Sequence, residues 1–159
     1  MQDVVLSIAK ILTENKLTLS VAESCSAGGI SSTVCSIPGS SSYFLGGIVA
    51  YSNASKIRDL GIKEEDISTF SEVSSNIAEQ MSVGISRRFS SDFSVSTTGY
   101  AGPASKEVGK VFISVKSPIN TLVKEFHFSG NRKEITDKVI ESALQILLSE
   151  IKLFIFGNK

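Results

Sequence analysis

Ser24 stands in Glu23-Ser24-Cys25-Ser26-Ala27-Gly28-Gly29, a run of mostly small residues between an apolar segment, Leu17 to Ala22, and a helical stretch reaching about Cys35. Where a strand gives way to a helix, backbone N–H groups and the positive end of the helix dipole face outward. Such a place binds anions or steadies an oxyanion, and a serine hydroxyl held there can attack a carbonyl. A serine that only caps the helix, at Ser24 or Ser26, with Gly28 and Gly29 permitting close packing, has the same local pattern.

A serine nucleophile needs a base. His127 is the only histidine, and its alternating surroundings, Val123 to Phe128, make it a strand-face residue. Lysine can serve when neutral, but with a reference pKa of about 10.4 only about one in a thousand is neutral near pH 7.4. The site must therefore lower that value by burial or nearby positive charge. Lys56 follows the apolar run Tyr43 to Tyr51 within Tyr51-Ser52-Asn53-Ala54-Ser55-Lys56. If the two apolar runs are neighbouring parallel strands, their C-terminal ends bring Lys56 beside Ser24, at the sheet edge where open α/β folds place ligands. A solvated helix lysine fits the same stretch. A third loop, Thr97-Thr98-Gly99-Tyr100-Ala101-Gly102-Pro103, also ends a strand-like run. Its glycines permit close approach to a ligand and Thr98 offers a hydroxyl, although a plain turn uses the same residues.

The elements that must position these loops follow from periodicity. Val4, Ile8, Ile11 and Leu12 predict an amphipathic helix over 3–15. Tyr43 to Tyr51, with Gly46-Gly47 inside it, predicts a buried strand with a close backbone approach or bulge. Asn53 to Leu60 predicts a short helix closed by Gly61. Ser71 or Ser74 is placed to cap a helix whose apolar face holds Ile77, Ala78, Met81 and Ile85. Phe93 to Thr97 is the next strand. Val108 to Lys116 and Thr121 to Phe128 form an antiparallel hairpin across a four-residue link. Asn131 begins a long helix with Ile135, Val139, Ala143, Leu147 and Ile151 on one stripe. That order predicts an α/β fold: a three-layer α/β/α sandwich with a mixed, mainly parallel sheet of about five strands, in a single domain over 1–159.

Composition excludes several classes of function. Lysine plus arginine and aspartate plus glutamate each number 16, and no basic stripe is present, so nucleic acid is not an expected partner. No apolar run reaches the ~18 residues of a membrane span. The start, Met-Gln-Asp, lacks a basic leader region, and Cys25 and Cys35 show no CxxC spacing, so the expected location is cytoplasmic. One histidine and scattered carboxylates supply no recognisable metal-ligand set, and no cofactor is expected.

Taken together the motifs resemble the CinA C-terminal domain family, which includes stand-alone nicotinamide-nucleotide amidases. The resemblance rests on Ala22-Glu23-Ser24-Cys25 with Gly28, Ile37-Pro38-Gly39-Ser40-Ser41, and Phe44-Leu45-Gly46-Gly47-Ile48-Val49-Ala50-Tyr51-Ser52-Asn53 with Lys56 and Leu60-Gly61. It continues through Val73-Ser74, Met81, Gly84, Asp92, the Thr98 to Pro103 loop, Val108-Gly109 and Gly130-Asn131-Arg132. It implies hydrolysis of the carboxamide of nicotinamide mononucleotide by a Ser–Lys mechanism, with Ser24 as nucleophile, Lys56 as base and Tyr51 as supporting hydroxyl. It also implies a substrate site formed by Ser26, Gly28, Asn53, Thr98, Gly99, Ala101, Gly102 and Arg132, a small-molecule nucleotide as partner, and room for a homo-oligomer. Three positions depart from the family pattern. Ala27 replaces a usual glycine, only Ala104 to Glu107 separates the Ala-Gly-Pro loop from Val108-Gly109, and Thr136 lies where a second arginine is common. A binding or regulatory module without turnover, or an amidase for a different small amide, would carry the same fold with those departures.

Overall fold

The computed structural model describes residues 1–157. Five strands form one mixed sheet in the order β2-β1-β3-β4-β5. They are β1 (Leu19–Glu23), β2 (Phe44–Val49), β3 (Phe93–Gly99), β4 (Lys110–Lys116) and β5 (Thr121–His127). β1 runs parallel to both β2 and β3, while β3-β4 and β4-β5 are antiparallel. The C-terminal ends of β1, β2 and β3 therefore lie at one sheet edge. The chain leaves β1 for β2 on one side and returns to β3 on the other, the strand-order switch that opens a crevice.

Six α-helices cover the sheet: α1 (Gln2–Asn15), α2 (Gly29–Cys35), α3 (Asn53–Leu60), α4 (Glu64–Phe70), α5 (Ser75–Phe89) and α6 (Arg132–Phe156). α1, α2 and α6 share one core with the sheet, built around Ile8, Leu12, Ile30, Val34, Val139 and Leu147. On the opposite face Leu60, Ile67, Ile77, Met81 and Ile85 join α3, α4 and α5. The result is a three-layer sandwich, as the alternation of periods predicted.

Capping explains where the helices start. Ser74 Oγ accepts from the Ile77 amide at the head of α5, which decides between the two serines considered. α3 and α6 each begin with a reciprocal capping box, Ser52 with Ser55 and Asn131 with Glu134. α4 was not evident from periodicity because Ile67 is its single buried residue.

β2 differs from the buried strand expected. It is an edge strand whose residues alternate between half-buried and exposed, since only one neighbour covers it. The close approach within it is present: a Cβ on Gly46 would lie 2.6 Å from the Phe89 ring, and one on Gly47 would meet Ser31 Oγ at 2.5 Å. The β1-β2 register also shifts between Leu19 and Ser20. Among the described residues, no helix is long and apolar enough to cross a membrane.

Candidate active site

The loops leaving β1, β2 and β3 and the start of α6 enclose a cavity of about 630 Å³, within the ~300–1,000 Å³ usual for small-molecule sites. Ser24, at the end of β1, is tied to β3 by its amide, which donates to Thr97 O at 3.1 Å. Lys56 sits in the second turn of α3, and its side chain passes into the protein instead of into solvent. It is only 2% exposed, and Nζ donates to Ser24 Oγ at 3.3 Å. The parallel β1-β2 pairing is what brings the two residues together across 32 positions of sequence.

Burial lowers the Lys56 pKa from its ordinary 10.5, opposed in part by the Glu72 carboxylate and the Cys25 thiol. Cys25 also borders the cavity, but burial pushes its thiol up to about 12. The thiolate that makes cysteine a strong nucleophile is therefore suppressed. Cys25 and Cys35 are both free, one buried and one exposed.

The start of α2 is not the open anion site its sequence suggested. Glu23 turns back into it: Oε1 accepts from the Ile30 amide at 2.8 Å, and Oε2 accepts from the Ser31 amide at 3.0 Å and the Ser31 hydroxyl at 2.7 Å. Ser26 Oγ donates to Glu23 Oε1 at 2.8 Å and lies 2.7 Å from Thr97 Oγ1. Ser26 is thus a buried tie between β1 and β3 and does not line the cavity. Gly28 does not line it either; at φ 90 it is the left-handed residue that starts α2. Gly29 lets α2 close against Ile140 of α6. Among the described residues of this turn, the Cys25, Ser26 and Gly28 amides make no backbone hydrogen bond.

Asn53, Thr98, Gly99, Ala101, Gly102, Tyr51 and Arg132 all border the cavity. Thr98 Oγ1 donates to Glu72 O at 2.7 Å, leaving its lone pairs for a ligand. Gly99 is required by packing, because a Cβ there would lie 2.8 Å from Lys110 O. Arg132 opens α6 and clamps the rim: Nη1 donates to Gly102 O at 2.5 Å and Nη2 to Tyr51 Oη at 2.6 Å. The Tyr51 hydroxyl therefore engages Arg132 and not the Ser24–Lys56 pair. His127 lies on exposed β5 against Glu125, away from the cavity lining. Glu72, Val73, Tyr100, Ala104 and Ser105 also border the cavity and were not among the site residues expected from sequence. The short 104–107 link nonetheless contributes wall. Among the described residues, no three His, Cys, Asp or Glu side chains cluster as a metal site requires.

An α/β sandwich with a buried serine–lysine contact at the strand-order switch defines a class of small-molecule site. The chain belongs to the CinA C-terminal domain family, whose model matches residues 1–151. It is 43% identical to a CinA-like protein of Flavobacterium psychrophilum over 91% of its own length and 35% of that protein's. It is 38% identical to a putative competence-damage inducible protein of Clostridium botulinum, covering 91% of this chain and 36% of that one. The chain thus spans about a third of the length of these curated relatives. Among solved structures, the competence/damage inducible protein CihA from Agrobacterium tumefaciens superposes with a TM-score of 0.90 at 34% identity, covering 93% of both chains. A competence or damage-inducible protein from Enterobacter asburiae reaches 0.91 at 27% identity, over 94% of this chain and 97% of that one.

Proposed function

We propose that the chain hydrolyses the carboxamide of nicotinamide mononucleotide to nicotinate mononucleotide and ammonia, with Ser24 as nucleophile and Lys56 as general base. The observation that carries this reading is the buried 3.3 Å contact between Lys56 Nζ and Ser24 Oγ in the cavity wall. In the neutral amine form, Lys56 takes the hydroxyl proton as Ser24 Oγ bonds to the carboxamide carbon. The carbonyl oxygen becomes an oxyanion. With the Ile30 and Ser31 amides held by Glu23 and Ser26 outside the cavity lining, the turn's donor left for it is the Cys25 amide. Lys56 then protonates the departing nitrogen, ammonia leaves, and an acyl-serine remains. Water loses a proton to Lys56 and attacks that ester; Lys56 returns this proton to the departing Ser24 Oγ, and the released acid gives its own proton to solvent to become the carboxylate product.

Arg132, at the rim, is the cation suited to the nucleotide phosphate, and its grip on Tyr51 and Gly102 holds both rim loops in place. On this reading the partner is a small molecule, no metal, cofactor, nucleic acid or membrane takes part, and the enzyme works in the cytoplasm. Ammonia release from nicotinamide mononucleotide, measured with a chelator present, tests it. Release that disappears in Ser24→Ala supports the reading. Ammonia from other amides but not this one would overturn the substrate. Tight nucleotide binding with no ammonia would make the chain a binding module instead.

A further inference from the structure

We propose that Glu72 is a specificity-determining residue, whose carboxylate selects a carboxamide carried on a cationic ring over a neutral one of the same shape. The inference rests on the amidase reading of this cavity and adds to it which charge state of the ring is accepted. Glu72 is the one acidic side chain among the cavity-lining residues. It lies in the segment between α4 and α5, which the left-handed Ser71 (φ 74) turns toward the sheet edge. Its carbonyl is fixed by the Thr98 hydroxyl at 2.7 Å, so the residue is anchored to the end of β3.

The carboxylate itself is poorly satisfied. Its hydrogen bond is a long one, from the neighbouring Ser71 Oγ at 3.4 Å. Among the described residues, no lysine, arginine or histidine forms an ion pair with it. A half-buried carboxylate without a paired cation is unfavourable when a ligand strips away its water. A ligand that brings its own positive charge removes that cost, and a neutral ligand imposes it in full. Lys56 feels the Glu72 carboxylate, which opposes the lowering of its pKa, but the two form no ion pair, and as the neutral base Lys56 brings no charge to offset it. The remaining charged group of the lining, Arg132, is engaged at the rim by Tyr51 and Gly102. The cavity thus offers a cation at the rim for an anionic group and an unpaired anion for a positive ring. A quaternary ring nitrogen has no proton to donate, so its recognition here is Coulombic and does not depend on hydrogen-bond geometry.

The test is equilibrium binding to the Ser24→Ala protein, in which bound ligand is not consumed. The two probes are nicotinamide mononucleotide and its 1,4-dihydro form, which share amide and phosphate and differ in ring charge. The cationic form should bind more tightly, on the order of tenfold for one partly buried charge pair. Adding Glu72→Gln should remove most of that preference and leave dihydro affinity within about twofold, since the amide keeps the carboxylate's shape. Equal affinities in the parent, binding of neither form, or an equal loss for both forms in Glu72→Gln would each overturn the inference. The parent comparison needs no variant at position 72, so it stands whether or not Glu72→Gln folds. Ammonia release by the unmodified chain separates the two readings. Release without ring-charge preference overturns the role of Glu72 and keeps the amidase. Preference without release does the reverse.

Discussion

Replacing Lys56 exposes two consequences of one buried amine. Lys56 is 2% exposed and its pKa is lowered by burial, so its protonated form is disfavoured in the folded chain. Below the apparent pKa of the base, turnover should rise about tenfold per pH unit, and that pKa should lie below the ~10.4 of a free lysine. Lys56→Arg keeps the charge but cannot readily deprotonate, because guanidinium holds its proton beyond pH ~12. It should lose the ~10²–10⁴-fold that a positioned base supplies. The stability consequence has a defined sign. Between the folded and unfolded pKa values the unfolded chain binds more protons, so stability rises with pH across that window, and the full cost of burying the charge is present below it. Each unit of depression corresponds to about 1.4 kcal/mol. Lys56→Met, similar in length and uncharged, should therefore raise Tm at pH 7, by about 2–4 °C for each kcal/mol relieved in a domain of this size. Stopped assays from about pH 6 to about 10, approaching the reference lysine value, and thermal melts of the same proteins read both effects. An active Lys56→Arg enzyme with an unchanged pH profile, or a Lys56→Met protein that melts lower, would refute the reasoning.

Ser24→Ala should abolish turnover while Cys25→Ser retains it, because burial holds the Cys25 thiol at about 12; in native protein a thiol reagent should label exposed Cys35 quickly and Cys25 slowly. Tyr51→Phe removes the acceptor of the 2.6 Å bond from Arg132 and should raise KM by about three- to tenfold with kcat little changed, as expected for one exposed charge-assisted hydrogen bond; a fall in kcat with constant KM would instead place the hydroxyl in the chemistry. Ala27 holds φ 52, a left-handed conformation costing a non-glycine residue roughly 1–2 kcal/mol, so Ala27→Gly should raise Tm by a few degrees, and a lower Tm in a calorimetric scan would contradict that account.

The part of the fold written in periodic apolar positions was legible, and so was the meeting of Ser24 with Lys56. That meeting needs only two parallel strands to be neighbours, which the crossover helix between them makes the simple outcome. Tyr43 to Tyr51 misled as to burial because composition cannot say which strand lies at an edge. Ser26 and Gly28 misled for a different reason. A loop that wraps a ligand and a loop that wraps its own carboxylate use the same small residues, and the carboxylate here, Glu23, reads locally as the polar end of a strand. Glu72 left no periodic trace, since it lies between two helices and acquires its position from Thr98, 26 residues away.

On the proposed amidase reading, Glu23 also decides which way round the nucleotide would lie. In sheets of this kind the helix start after the first strand is the natural seat for a phosphate. Here that seat is taken by the protein's own anion, which already holds the Ile30 and Ser31 amides and the Ser31 hydroxyl. A phosphate approaching the turn meets an occupied site and like charge. The other end of the crevice, where Arg132 begins α6, offers a guanidinium in its place. The uncharged amide end of the molecule is then the end admitted beside Ser24. On that reading the direction of entry would be set by a side chain, fully buried, that the nucleotide itself would not touch.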